Sequence, residues 1–315
     1  MNKVLSLCFP TYNRGWCVKE QIDRLRMCPK ETLEKMEIIF SDNCSTDDTG
    51  GVIRTAISEG FDCIYNKNRE NLGMDGNFVT CFKMAKGKYV WLLGDDDPII
   101  PEALVKIVEK LSGEEDYGLV HIYKKERFSE QEFLAYHDKN DFVRTISYYT
   151  TLISSNIVRT KYVPEIDFDK YMGTWFTLMP LYITALMKNE NNLLVNFQSF
   201  EYAKDWKRNG GYNYFKVFAE NYLNIWKEFL EKGVINEKTY KYLKKDSFKD
   251  LIAEPIYRCL IYGKKSKTYS YEDAWKILFR NYGDTFYFYT YPTYKELVRN
   301  IHRIERFYAR LHRKI

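Results

Sequence analysis

The chain has 315 residues, 45% hydrophobic and 29% charged, enough apolar mass to bury a sizeable core. No long Gly/Ser/Pro tract divides it, which predicts one large domain or a catalytic domain with a helical appendage. The net charge of +5 is uneven: residues 201–315 hold 24 Lys and Arg against 14 Asp and Glu, whereas residues 1–200 hold 24 against 29. The basic final third suits an anionic lipid, nucleic acid or glycan surface, or simply a solvated face.

Six of the seven cysteines lie within the first 81 residues. None forms a Cys-x-x-Cys pair, and an odd count argues against a disulfide framework, so free thiols in a reducing cytoplasm are expected. Residues 1–10 lack the pattern of a secretory signal, and no stretch approaches the ~18–20 apolar residues of a membrane span. Aromatic content is high, with 27 Tyr and 20 Phe. It reflects either an AT-rich codon usage or surfaces that stack on sugars or face a membrane.

Val4 to Phe9 reads as a buried strand stopped by Pro10, followed by a helix over 16–27. Residues 37–40 read as a second strand and 46–58 as a helix with Val52, Ile53 and Ile57 on its apolar face. Residues 63–65 form a third short strand, 76–85 a helix, and 88–93 a fourth strand, nearly all apolar. Pro101 opens a helix through Leu111, since proline is favoured at the first helical position. A fifth strand covers 118–123. Near-continuous apolar strands alternating with amphipathic helices predict an α/β domain built on a parallel sheet covered on both faces. Beyond it, 150–159 reads as either a strand or a short helix, 175–187 as a helix and 193–197 as a strand. Helices are expected near 214–232, 236–262, 271–281 and 293–314.

Ligands of such sheets bind at the carboxyl ends of the strands. The segments there are Pro10-Thr11-Tyr12-Asn13-Arg14, Ser41 to Thr49, Asn66 to Gly73, and Gly94-Asp95-Asp96-Asp97-Pro98. Three adjacent carboxylates after a buried strand repel one another unless a cation offsets them. A helix cap needs only one. Mg²⁺ or Mn²⁺ bound by one or two carboxylates and substrate phosphates answers that pattern. Asp42 and Asn43 read as a turn or helix cap, or as acceptors for a nucleobase.

Together these segments resemble the glycosyltransferase family 2 pattern on a GT-A fold, a Rossmann-like, mostly parallel sheet with helices on both faces. The matching pieces run in order from Phe9 to Pro101; after residue 120 the resemblance leans toward the O-antigen abequosyltransferase-like branch. It implies a GT-A catalytic domain over 1–212, with a nucleotide-sugar donor half at 1–125 and an acceptor half at 126–212. A helical, basic region at 213–315 would follow. It also implies that Pro10, Thr11, Tyr12, Asn13 and Arg14 line or adjoin the nucleobase pocket and that Asp42, beside Asn43, contacts the base. Asn71 and Gly73 would border the nucleotide. Asp96 and Asp97 would lie at a Mn²⁺ or Mg²⁺ ion, with Asp95 toward the ribose; read literally as Asp-x-Asp, the motif pairs Asp95 with Asp97 instead. Arg208 or Lys207 would reach the pyrophosphate.

Many members of the family carry a Glu-Asp pair ahead of a helix, its Asp acting as catalytic base. Here Gly173-Thr174 stand in that place. Asp169 and Asp167 are the nearest carboxylates, and Asp169 is the candidate base. The implied reaction is metal-dependent, inverting transfer of a sugar from a nucleoside diphosphate to a hydroxyl of a glycan or lipid-linked glycan, in the cytoplasm or at the inner face of its membrane. The alternative is a catalytically silent sugar- or nucleotide-binding scaffold. Nucleic acid is not an expected partner, because no binding motif is present and an acidic edge repels phosphate. The tail over 293–315 alternates apolar residues with Arg299, Arg303, Arg306, Arg310 and Arg313. It reads as a helix lying on an anionic membrane or packed on the domain.

Overall fold

The structure is a computed structural model and describes residues 3–122, 130–201, 211–266 and 268–293. The chain divides into two compact units, Met1–Trp206 and Lys207–Ile315.

The first unit begins with β1 (Leu5–Thr11), α1 (Gly15–Leu25), α2 (Lys30–Glu34), β2 (Met36–Asp42), α3 (Thr49–Ser58) and β3 (Ile64–Lys67). It continues with α4 (Gly73–Met84), β4 (Tyr89–Leu92), α5 (Pro101–Leu111), β5 (Tyr117–Ile122) and β6 (Phe133–Tyr136). Then come α6 (Lys139–Ile146), β7 (Asn156–Arg159), α7 (Met179–Lys188) and β8 (Asn191–Val195). The strands form one sheet in the order β3-β2-β1-β4-β7-β5-β8-β6. Every residue of β1, β4 and β5 is buried, which is why their sequences are apolar without alternation. Helix α5 starts at Pro101 as expected and buries Ala103, Leu104, Ile107, Val108 and Leu111 against the core.

Strands β1 to β4 are mutually parallel, so their carboxyl ends share one edge. The sheet departs from all-parallel in its second half. The fifth expected strand does not neighbour the fourth: β7 lies between β4 and β5, antiparallel to both. It comes from the stretch that reads as strand or helix, and only four residues of it are strand, too few for periodicity to decide. Asn156 secures the insertion. It is buried, its Oδ1 lies 2.9 Å from His121 Nδ1, and its Nδ2 donates to Leu152 O at 2.7 Å.

In the second unit, Tyr212–Asn213 pairs in parallel with Tyr269–Ser270. Helices cover Tyr222–Glu231, Glu237–Ser247 and Ala274–Tyr282. The first is preceded by π-helical turns at Lys216–Asn221, and the second runs on through Ile261. Asn236 caps its helix by accepting from Thr239 N at 2.8 Å. Trp226, Tyr222, Tyr282, Phe215 and Phe248 are fully buried within this unit, so a share of the aromatic content is core. The tail expected to form a helix over 293–314 lies, from 294 onward, outside the described residues.

Candidate active site on the carboxyl edge of the sheet

The loops after β1 and β2 are stitched together by Asn13. Its backbone is left-handed (φ 53°), a conformation asparagine tolerates better than most residues. Asn13 Oδ1 accepts from Thr46 N at 2.8 Å and Asp47 N at 3.3 Å, while Asn13 N donates to Ser45 Oγ at 2.9 Å. These bonds hold residues 43–48 in an irregular turn, so the helix expected from 46 begins at Thr49 instead.

Asp42 is fully buried at the end of β2. Oδ1 accepts from Ser45 N at 2.7 Å and Oδ2 from the Tyr65 hydroxyl at 2.8 Å. Burial, reinforced by this carboxylate, pushes the Tyr65 hydroxyl up to about 12. Asp42 thus organises the loop with both oxygens already engaged. Asn43 does the same for the next loop. Its Nδ2 donates to Asn71 Oδ1 (2.8 Å) and Gly73 O (3.0 Å), and its Oδ1 accepts from Leu72 N (2.9 Å). Asn71 Oδ1 also accepts from Gly73 N at 2.9 Å, and Gly73 opens α4 with φ 71°, a backbone suited to glycine.

The loop after β4 carries the carboxylates. Arg14 Nη1 lies 2.7 Å from Asp95 Oδ1 and 2.9 Å from Asp96 Oδ2, so one guanidinium bridges both. The countercharge that three adjacent aspartates call for is therefore partly present within the chain. Asp95 is only 4% exposed, against 28% for Asp96 and 30% for Arg14. Burial pushes the Asp95 carboxyl up to about 6, against the opposing pull of Arg14. The Thr11 hydroxyl sits near enough to favour the charged form, yet neither Thr11 Oγ1 nor Asp95 Oδ2 completes a hydrogen bond of ordinary geometry. Two buried polar atoms are thus left facing each other without full satisfaction, at a cost that a ligand hydroxyl or cation would relieve. Pro10 is buried in β1, and Tyr12 beside this edge is 43% exposed.

Two residues of the site carried no motif. Gln21 is fully buried on α1, and its Nε2 donates to Asp97 O (2.9 Å), Asp95 O (3.2 Å) and Gly94 O (3.4 Å). Its Oε1 accepts from Ile99 N at 3.1 Å, so one amide clamps the whole carboxylate loop. A polar residue among Val18, Ile22 and Leu25 on the buried face of a helix is the signal that identifies it. Ser154, from the segment before β7, accepts from Gly94 N (3.0 Å) and donates to Asp97 Oδ2 (2.6 Å). No sequence spacing announces that contact.

Among the described residues no group of three His, Cys, Asp or Glu side chains is arranged to hold a metal ion. The residues nevertheless fit Mg²⁺ or Mn²⁺, which take few protein carboxylates and complete their shell with phosphates and water. Asp96 Oδ1 and Asp97 Oδ2 lie 3.1 and 3.2 Å from the point where a side chain on Gly94 would begin, so glycine keeps a space between two carboxylates open.

Asp169 opens a single 3₁₀ turn, Asp169–Tyr171, four residues before Gly173, and its side chain is exposed with no hydrogen bond among the described residues. Lys207 and Arg208 lie outside the described residues.

A Rossmann-like sheet with a converging edge of nucleotide-compatible loops and a carboxylate cluster defines a nucleotide-sugar transferase fold, and comparison with known proteins agrees. Residues 6–170 match the family model described as Glycosyl transferase family 2, and the chain belongs to that family. It is 30% identical over 192 residues to Abequosyltransferase RfbV of Salmonella typhimurium, covering 54% of this chain and 57% of that protein. It is 28% identical over 120 residues to the GalNAc(5)-diNAcBac-PP-undecaprenol beta-1,3-glucosyltransferase of Campylobacter jejuni, covering 38% and 37%. The chain thus spans little more than half of the first relative and about a third of the second.

Among solved structures, S. aureus TarS 1-349 aligns with TM-score 0.61 at 17% identity, over 80% of this chain and 74% of that one. A mannosyltransferase, PcManGT from Pyrobaculum calidifontis in complex with GDP-Man and Mn2+, aligns with TM-score 0.54 at 13% identity, over 84% and 77%. At these identities the likeness establishes the fold, which is GT-A.

Proposed function

We propose that the chain transfers a sugar from a nucleoside-diphosphate donor to a hydroxyl of a glycan or lipid-linked glycan, with inversion, in surface polysaccharide synthesis. The observation that carries this is the convergence of Arg14, Asp95, Asp96 and Asp97 at the edge where the Thr11, Asn43 and Gly73 loops are tied together. Relatives support the substrate class: one is named for an undecaprenol-linked acceptor, and TarS has been solved with UDP-GlcNAc.

In this reading Thr11 and Tyr12 line the base pocket, Asn71 and Gly73 border the nucleotide, and Asp95 faces the ribose with its unsatisfied oxygen. Asp42 acts through the loop it braces. Asp96 and Asp97 would hold Mn²⁺ or Mg²⁺, which supplies Lewis-acid relief of charge on the leaving diphosphate. Arg208 is the proposed pyrophosphate contact. No helix among the described residues is long and apolar enough to cross a membrane; contact with an anionic inner leaflet through 293–315 belongs to the proposal. So does the division into a donor half at 1–125, an acceptor half at 126–212 and a helical region beyond.

The second reading, a silent scaffold, is favoured by Gly173-Thr174 standing where the family carries its acidic pair. One experiment separates the two. Thermal shift and nucleotide release are measured with UDP, GDP and their sugars, with Mn²⁺ and with chelator. A transferase is stabilised by one nucleotide series only with metal and slowly releases nucleoside diphosphate from the matching sugar donor. Stabilisation without release makes the chain a scaffold, and stabilisation by none contradicts both readings.

A further inference from the structure

The Gly173-Thr174 position lacks a carboxylate of its own, but one is delivered to it from another element. Gly173 N donates to Asp75 Oδ2 at 2.9 Å, a bond that spans 98 residues of sequence. Asp75 sits in the first turn of α4. That turn starts at Gly73, which Asn43 fastens to the end of β2, so Asp75 belongs to the carboxyl edge of the sheet. It is half-buried, and Oδ1 has no hydrogen bond among the described residues.

A side chain built on Gly173 or on Gly73 would meet nothing within 4 Å among the described residues beyond its chain neighbours. Gly173 (φ 75°) and Trp175 (φ 69°) are both left-handed. For a bulky residue such as tryptophan that backbone is a strained outlier, held only when its surroundings over-determine it. Thr174 supplies the restraint: its Oγ1 donates to Tyr171 O at 2.7 Å and accepts from Phe176 N at 3.2 Å. Met172 and Trp175 on this segment, and Met74 beside Asp75 in sequence, are exposed.

We infer that Asp75, oriented by the Gly173 amide, is the catalytic base. This rests on the transferase reading above and names its acceptor side. Asp75 Oδ1 takes the proton of the acceptor hydroxyl as that oxygen bonds to the anomeric carbon. The anomeric carbon–oxygen bond breaks, and its electron pair leaves with the nucleoside diphosphate. Asp169, exposed and unattached in the preceding turn, has no comparable anchor.

The test uses the full chain, with water as acceptor and UDP-glucose, UDP-galactose, UDP-N-acetylglucosamine and GDP-mannose as donors. Asp75→Asn keeps an oxygen for the Gly173 amide, so folding and donor affinity should hold. Donor turnover should fall about 10²–10⁴-fold, the range that general-base catalysis supplies. The donor KM should stay near the wild-type value while kcat falls, a split that a merely structural role would not produce. Turnover by Asp75→Asn within twofold of wild type, or a donor KM that rises in step with the loss of turnover, would overturn the assignment. So would Asp169→Asn losing turnover while Asp75→Asn keeps it. If no donor binds the wild-type chain, the transferase reading itself fails; if donor binds and is hydrolysed equally by both forms, only the base is wrong.

Discussion

The two halves of the first unit are built by different means. Residues 3–122 are parallel strands alternating with helices, their loops tied together by side-chain amides: Asn13 joins the first two loops, Asn43 joins the second to the third, and Gln21 clamps the fourth. Residues 130–201 are short strands, two helices and short 3₁₀ segments, with β7 inserted against the direction of its neighbours. The first half is a rigid edge whose functional groups are placed before any ligand arrives. The second reaches that edge through a few contacts, Ser154 to Gly94 and Asp97 and Gly173 to Asp75, from short turns between its strands and helices. Hydrogen-bonded loop organisation is therefore concentrated in residues 3–122, and disturbing it should cost more than disturbing residues 130–201.

The largest effect should come from Arg14→Met, which leaves Asp95 buried without its cation. Removing one partner of a buried pair costs about 3–5 kcal/mol, and the partial exposure of Arg14 and Asp96 places this case near the lower end. The pH dependence gives the sign. Asp95 is raised from 3.8 to about 6, so the folded state holds its proton more tightly than the unfolded state. That contribution to stability is full below about pH 4 and is lost as pH rises through about 6. Denaturant melts of the wild type should show this loss across pH 4–6, amounting to roughly 3 kcal/mol by the linkage relation. In Arg14→Met the window should extend to higher pH. A flat profile in both proteins would mean that Asp95 is not held as described.

Gln21→Ala should follow, at about 2–3 kcal/mol, because it strands the Ile99 amide and the carbonyls that Gln21 now satisfies. The same variant should weaken metal-dependent nucleotide binding, since the carboxylate loop loses its clamp; stability loss with unchanged binding would show that the loop holds its shape unaided. Asn43→Ala should be smaller, about 1–2 kcal/mol in the same melts, with weaker nucleotide affinity as the Asn71–Gly73 loop loosens. No change in affinity would detach that loop from the nucleotide.

Much of the sheet in residues 3–122 was legible in the sequence for a physical reason. Strands buried on both faces are apolar throughout, and the polar segments that end them announce the functional edge. The run Asp95-Asp96-Asp97 stood out because charge repulsion made a purely structural role insufficient. What it did not disclose was that Arg14, noted only as a neighbour of the base pocket, bridges two of those aspartates; pairing over 81 residues leaves no local pattern. Gln21 was legible in principle, as a polar residue on an apolar helix face. The place of β7 was not, because four residues carry too little periodicity and insertion between β4 and β5 is a tertiary choice. Nor was the Asp75–Gly173 contact, since an aspartate in a helix's first turn is explained locally by the helix dipole.

On the proposed reading, this edge binds a nucleoside diphosphate through Asp96 and a divalent cation. Calorimetric titration of the nucleotide selected by thermal shift, with Mn²⁺ and with chelator, into wild type and Asp96→Asn decides it. Wild type should bind only with metal, and Asp96→Asn should bind far more weakly or not at all. Equal metal-dependent affinity in the two proteins would exclude Asp96 from the site.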